Sequence, residues 1–356
     1  MEAANSNADT SGRKERQKVK CVIWDLDNTI WNGVLLEDEN VTLKDGIADI
    51  IKALDNRGIL QSVASKNEHE HAMNKLKEFG LDEFFLYPQI NWNSKSSSVK
   101  RIVETINIGM DTIAFIDDQP FEREEVNHSL PEVLCIDALE IGRILNMPEM
   151  NPRFITEDSR LRRKMYMSDR DRNMDEENFI GPQEEFLASL NMKLTISPVK
   201  TGDLQRAEEL TVRTHQLNTT GYTYSYEELD NFRKSDKHKL LITGLEDKYG
   251  TYGKIGLTLI ECNKDVWTIK LLLMSCRVMS RGVGTIIINH IMGLSKEAGV
   301  RLRAEFVQND RNRMMYVTYK FAGFIEAEEK DGLIIMENDL KQIQTFPEYL
   351  KVYTVG

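Results

Sequence analysis

The chain has 356 residues, 41% of them hydrophobic, and a formal net charge of −11 at pH 7. That length allows two domains, each with its own core, and the acidic balance excludes the basic footprint of non-specific nucleic-acid binding. No apolar run approaches the roughly eighteen residues of a membrane span, and the four scattered cysteines (Cys21, Cys135, Cys262, Cys276) form no CxxC pair, which suits a reducing compartment and offers no zinc site. The polar stretch 1–18 lacks a signal core, so it reads as a disordered tail and the protein as cytoplasmic.

Residues 19–140 alternate apolar strands with amphipathic helices. Strands are expected at 20–24, 60–64, 84–87, 112–116 and 133–136, and helices at 46–57, 68–79, 97–106 and 121–129. This rhythm implies a parallel sheet wrapped by helices, whose ligands sit at the carboxyl ends of the strands. Asp25, Ser65 and Asp117 each follow an apolar strand and should meet on one rim. Residues 141–185 break the rhythm with charge, Met and Asn, and read as a helical linker with a solvated helix over 158–172. From 186 to 356 a second α/β pattern follows. Its expected strands are 194–197, 239–243, 252–261, 266–274 and 301–306, and its helices 203–214, 282–291 and 309–321. The end, 346–356, reads as a surface helix or strand.

The run Val22-Ile23-Trp24-Asp25-Leu26-Asp27-Asn28-Thr29 carries the chemistry of the first half. A buried strand ending in two carboxylates needs something to stabilise them, and the usual stabiliser is a hard cation such as Mg2+. Two carboxylates at such a place can also divide labour, one attacking phosphorus and the other moving a proton. Ser65, Lys95 and Phe115-Ile116-Asp117-Asp118 follow in order. The ordered set resembles the haloacid dehalogenase superfamily of phosphoryl-transfer enzymes. The resemblance implies Asp25 as nucleophile and Asp27 as general acid/base. It implies Mg2+ held by Asp25, Asp27 (through its carbonyl) and Asp117, with Asp118 as the alternative. Ser65, Lys95, Asn28 and Thr29 form the implied phosphate-binding set. Lys100 and Arg101 compete with Lys95 for the cation's role, and Ser65 could equally cap the following helix. The short gaps between motifs leave room only for a small flap over 30–43, and hence an open site.

In the second half, Ser275-Cys276-Arg277-Val278-Met279-Ser280-Arg281-Gly282-Val283-Gly284 leads from a strand into a helix, whose exposed N–H groups suit phosphate. With the helix led by Asn309 and ending at Gly323-Phe324, it resembles the Gcn5-related N-acetyltransferase fold. Met279 stands where that pattern usually has Arg or Gln. The whole span 20–326 resembles the FkbH-like proteins of polyketide pathways. The carrying residues are 24–34, Asn91-Trp92-Asn93-Ser94-Lys95-Ser96, 115–126, Arg213-Thr214-His215-Gln216-Leu217-Asn218 and the Cys276 segment.

This resemblance implies an α/β chain: a Rossmann-like haloacid dehalogenase domain with a minimal cap, then an acetyltransferase-like α/β domain. The implied activity is bifunctional: 1,3-bisphosphoglycerate is dephosphorylated and its glyceryl group is loaded as a thioester on the phosphopantetheine arm of an acyl carrier protein. Cys276 is then the implied acyl-holding thiol and His215 a candidate base. Arg277, Arg281, Gly282, Gly284 and Asn309 are candidates for holding the pantetheine arm. Two other readings stay open: an Mg2+ phosphatase whose second half only docks a carrier protein, and a scaffold with a vestigial site. No nucleic-acid or membrane partner is expected.

Overall fold

The computed structural model describes residues 17–38, 40–214 and 217–355. The chain divides into two compact units, Met1–Ile155 and Thr156–Gly356. The segment 141–185 does not stand apart as a linker, because the division falls inside it. Of the tail expected over 1–18, residues 1–16 lie outside the described residues, as do His215, Gln216 and Glu39.

The first unit is built on a parallel five-stranded sheet. In chain order its elements are β1 (Cys21–Trp24), the flap strands β2 (Trp31–Asn32) and β3 (Thr42–Leu43), α1 (Ile47–Asn56), β4 (Leu60–Ser65), α2 (His69–Glu78), β5 (Gln89–Ile90), α3 (Lys95–Ile106), β6 (Ile113–Asp117), α4 (Pro120–Ser129) and β7 (Leu134–Asp137). The order across the sheet is β5-β4-β1-β6-β7, so the Cys-Val-Ile-Trp strand lies at the centre, buried on both faces. That is why it is a continuous apolar run and not an alternating one. The helices show the opposite pattern: α1 buries only Ile47, Ile51 and Leu54, one stripe of its surface. The strand expected at 84–87 is reduced to a single parallel bridge, Phe85 to Gln61. Asp82–Phe84 forms a 3-10 turn, and the pairing strand is the later Gln89–Ile90.

The second unit has an eight-stranded mixed sheet. It opens with α5 (Glu157–Arg160), α6 (Arg162–Asn178), α7 (Gln183–Ser189), β8 (Met192–Pro198), α8 (Leu204–Arg213) and α9 (Tyr226–Lys234). β9 (His238–Asp247), β10 (Gly250–Cys262) and β11 (Val266–Met274) follow, then α10 (Val283–Glu297), β12 (Arg301–Val307), α11 (Arg313–Phe321), β13 (Ile325–Lys330), β14 (Leu333–Asn338) and β15 (Leu350–Thr354). The order is β13-β14-β12-β11-β10-β9-β8-β15, with β11–β12 and β15–β8 parallel and the other pairs antiparallel. Ile286, Ile287 and Ile291 of α10 and Met315 and Tyr319 of α11 share one core, while Leu204, Ala207 and Leu210 of α8 with Leu229 of α9 build another. Helix α6 is not wholly solvated as expected: Arg163, Met165 and Arg172 are buried. β11 and β12 pair only over 266–269 and 301–304. Beyond that point Thr219 spans the fork, donating its N–H to the Leu272 carbonyl (3.1 Å) and accepting from the Val307 N–H (2.9 Å).

Candidate active site

The rim expected at the carboxyl end of the parallel sheet is present. Ser65 and Asp117 are the last residues of β4 and β6, and Asp25 follows β1 directly. Lys95 opens α3 behind the Ser94 cap, whose hydroxyl accepts from the Ser97 N–H. Its side chain is buried and its ammonium donates to Asp25 Oδ1, to Asp117 Oδ2 (2.9 Å) and to the Ala64 carbonyl (2.9 Å). Burial alone would lower the Lys95 pKa, but the charges of Asp25 and Asp117 outweigh it and the ammonium is held more firmly than usual. Lys100 and Arg101, the competing cations, are exposed on α3.

Asp27 points elsewhere and is held from three directions. Its Oδ1 accepts from the Trp31 indole (2.8 Å) and the Leu35 N–H (3.0 Å), and its Oδ2 from the Asn67 amide (3.0 Å). Burial nevertheless raises its pKa, with the Asp25 charge adding to the effect. Trp31 and Asn67 are missed by reading motifs alone. A tryptophan four residues after Asp27, across one turn, is the signal that would have pointed to the first. Asn28 takes a left-handed backbone (φ 52°), and its side-chain oxygen accepts from the Gly33 N–H, so it shapes the flap turn. Thr29 is fully buried with its hydroxyl unpartnered among the described residues. Ser65 is buried and does not cap α2; Glu68 does, accepting from the Glu70 and His71 N–H groups.

Oxygens of Asp25, Asp117 and Asp118 lie within 4.8 Å of one another. Burial and the Asp25 charge push Asp117 up to about 6 and raise Asp118 as well. Asp118 Oδ1 is buried with no hydrogen-bond partner among the described residues. An orphaned carboxylate oxygen beside two crowded carboxylates is an all-oxygen donor set with excess negative charge, and it fits a hard divalent cation such as Mg2+. Trp92, on the loop before Lys95, and Phe121, in the first turn of α4 after Asp118, are 68% and 71% exposed.

In the second unit, Cys276 is exposed, at the start of a 3-10 turn Cys276–Arg281 that leads into α10. Cys21 is fully buried and its thiol is pushed far up by burial; burial also raises Cys262. Four of the five residues expected to hold a pantetheine arm are engaged or covered by the protein itself, whereas Arg281 uses one nitrogen and leaves Nε and Nη1 buried without a partner among the described residues. Arg281 bonds Glu176 (2.9 Å), and a Cβ on Gly282 would meet the Tyr349 hydroxyl at 2.6 Å. A Cβ on Gly284 would meet Met274 Cε at 2.8 Å. Asn309 accepts from the N–H groups of Arg311 and Asn312, and the helix it was expected to lead starts only at Arg313. Arg277 donates to the Tyr252 carbonyl (2.9 Å). His215 lies outside the described residues.

The haloacid dehalogenase-like hydrolase family matches residues 30–125. The match lies within the first unit and takes in Ser65, Lys95, Asp117 and Asp118, beginning just after the Asp25/Asp27 pair. Among solved structures, the N-terminal part of a Bacteroides fragilis protein, containing a phosphatase domain complexed with Mg, is 32% identical over 38% of this chain and 40% of that one, at a TM-score of 0.31. The chain thus spans well under half the length of that protein. An Escherichia coli ribosomal-protein-S18-alanine N-acetyltransferase is 20% identical over 44% of this chain and 97% of that one, at a TM-score of 0.33. A Vibrio cholerae spermidine N-acetyltransferase in complex with CoA and spermine is 16% identical over 40% and 92%, at 0.31. No curated protein matches the sequence. No helix of the described residues is long and apolar enough to cross a membrane.

Proposed function

We propose that the first unit is an Mg2+-dependent phosphatase working through an aspartyl-phosphate at Asp25. The observation that carries this reading is the Lys95 ammonium shared between Asp25 and Asp117. It fixes one Asp25 oxygen and leaves the other without a hydrogen bond among the described residues, ready for phosphorus. Asp25 attacks, the Asp–O–P bond forms, and the bond from phosphorus to the leaving oxygen breaks. Asp27, raised by burial and held by Trp31, Leu35 and Asn67, gives its proton to that oxygen. It then takes a proton from the water that cleaves the aspartyl-phosphate. Asp25, Asp117, Asp118 and the Asp27 carbonyl would hold Mg2+, which when bound would supply charge neutralisation for the transferring group. Lys95 does the same from the protein side, and the Ser65 hydroxyl binds a phosphoryl oxygen.

On the resemblance to FkbH-like proteins, the whole chain is a glyceryl transferase/phosphatase. The Cys276 thiolate attacks the acyl carbon of 1,3-bisphosphoglycerate, the C–S bond forms, and the acyl phosphate leaves as inorganic phosphate. The thiol's proton goes to solvent. The pantetheine thiol of an acyl carrier protein then displaces Cys276, and the aspartyl site hydrolyses the remaining phosphate ester. What favours Cys276 is that it alone of the four cysteines is exposed. The test is to incubate the chain with Mg2+, freshly made 1,3-bisphosphoglycerate and a holo carrier protein and to take intact masses. A glyceryl increment on the carrier, lost in Cys276→Ala, is expected. Phosphate release with no adduct on carrier or enzyme reduces the function to phosphatase.

A further inference from the structure

Of the run 115–126, Asp117 and Asp118 belong to the site itself, and helix α4 that follows sends charged side chains back to the loops around it. Arg123 donates Nη1 to the Asp117 carbonyl (2.8 Å) and Nη2 to Asp137 Oδ2 (2.5 Å) at the end of β7. The other Asp137 oxygen accepts from the Leu139 N–H (2.9 Å), so the acid that holds the guanidinium is itself held. Glu125 accepts from both the N–H (3.0 Å) and the hydroxyl of Ser96, the residue after Lys95. Glu122 accepts from the Lys66 ammonium (2.6 Å). Lys66 stands between Ser65 and Asn67, whose amide bonds Asp27.

Docking the helix does not account for these bonds. α4 buries only Glu122 and Val126, and a buried ion pair is commonly no more stabilising than apolar residues of the same volume. What the bonds fix is direction. The Asp117 carbonyl belongs to the planar peptide that joins Asp117 to Asp118, and the tilt of that plane sets where the two carboxylates point. Burying an unpaired carboxylate oxygen is costly, so the direction of Asp118 Oδ1, which has no partner among the described residues, has to be held by its backbone. Glu125 takes up an N–H of the first turn of α3, the turn from which Lys95 reaches Asp25 and Asp117.

We propose that Arg123 and Glu125 are positioning residues of the phosphoryl-transfer site. Arg123, held by Asp137, sets the peptide between Asp117 and Asp118, and Glu125 sets the turn that carries Lys95. Both act from one helix, so the carboxylates and the ammonium keep their mutual geometry before a cation arrives. The use of that geometry rests on the phosphatase reading, whereas the metal-binding arm of the test does not.

The probe is Mn2+, a dication that suits carboxylate ligands, titrated into the full chain without substrate while its free form is counted by electron paramagnetic resonance. Wild type should bind it. Arg123→Met should weaken binding about 10–100-fold, the usual cost of losing a group that orients metal ligands. Arg123→Lys keeps the charge without the fork and should recover part of the loss. Asp137→Asn loosens the guanidinium without touching Asp117, so a smaller loss in the same direction keeps the test sound if Arg123→Met fails to fold. Glu124→Gln, on the exposed side of α4, should bind like wild type. With acetyl phosphate as substrate, Glu125→Ala should lower kcat about tenfold or more and leave KM little changed, as expected when a group acting in the transition state is misplaced. Wild-type Mn2+ affinity in Arg123→Met and Asp137→Asn, with only the melting temperature reduced, makes Arg123 a docking residue and overturns the proposal, as does a wild type that binds no Mn2+. An unchanged kcat in Glu125→Ala overturns it for α3. Weakened Mn2+ binding in the variants of a chain that releases no phosphate leaves the role of Arg123 standing and refutes the phosphatase reading.

Discussion

Asp25 and Asp117 are two carboxylates drawn to a single buried ammonium, and the balance among the three sets how the site behaves without metal. Replacing Lys95 by Met leaves both acids unpaired in a dry rim, a change that typically costs about 3–5 kcal/mol. Urea unfolding in chelator should show that loss, and added Mg2+ should restore part of it by taking over the neutralisation. An unchanged midpoint would mean that Lys95 does not hold the pair. On the proposed reading, Asp27 acts on a different step. Asp27→Asn should cut turnover by about 10²–10⁴-fold, the usual worth of a positioned acid/base, while an activated substrate such as an acyl phosphate still phosphorylates the enzyme. The residues proposed to carry this chemistry were legible because charged groups at strand ends are rare and their order is informative. Trp31, Asn67 and the roles of Asn28 and Ser65 were not. Whether an amide or hydroxyl faces a carboxylate depends on side-chain direction in a turn, which spacing does not encode. The same limit applied to Gly282 and Gly284, which read as backbone open to an anion and prove to be covered by Tyr349 and Met274.

Helix α8 owes its place to Glu209. Burial alone would raise this carboxyl, but Arg206, Arg162 and Arg213 outweigh it and hold it at about 2. A carboxyl depressed in the folded state binds fewer protons there than when unfolded. Its stabilisation is therefore present above the ordinary value near 4.5 and is lost as pH falls towards 2. Urea unfolding should show Glu209→Gln strongly destabilised at pH 7 and the gap to wild type shrinking between pH 4.5 and 3. A gap constant with pH would contradict the arginine cluster. At the entry to α10, Gly282 has φ 73° beneath the Tyr349 hydroxyl. Gly282→Ala should cost about 1–2 kcal/mol from the left-handed backbone, plus whatever moving Tyr349 adds, measured by thermal melting. Strongly periodic elements such as α1, β1 and β11 were readable within a residue or two. The hairpin β13–β14 was not, because Ile325–Lys330 is exposed along its length and carries no apolar alternation. Its turn, Asp331-Gly332, has both residues at positive φ and was the available signal.

At the scale of the whole molecule, the alternating first half and the antiparallel second half correspond to two units with separate cores. The boundary was misplaced because α6 looks polar along its length. It is anchored by buried arginines rather than by an apolar stripe: Arg172 bonds Asp247 and stacks over Tyr252 at 3.8 Å. Charge that is paired inside reads in sequence like charge that is solvated. The account assigns phosphoryl chemistry to the first unit and thiol chemistry to the second, so Cys276→Ala should leave phosphate release from a simple monoester unchanged while abolishing any acyl adduct. A fall in that release would show that the two chemistries are not separable.

The most direct test of the central claim is to trap the covalent intermediate. Asp27→Asn is mixed with Mg2+ and an acyl phosphate, quenched in acid, digested and mapped by mass. A phosphoryl group on the peptide carrying Asp25, absent when Mg2+ is chelated and absent in Asp25→Asn, is the predicted result. Phosphate release with no phosphorylated Asp25 peptide, or a phosphoryl group on another residue, would contradict the account.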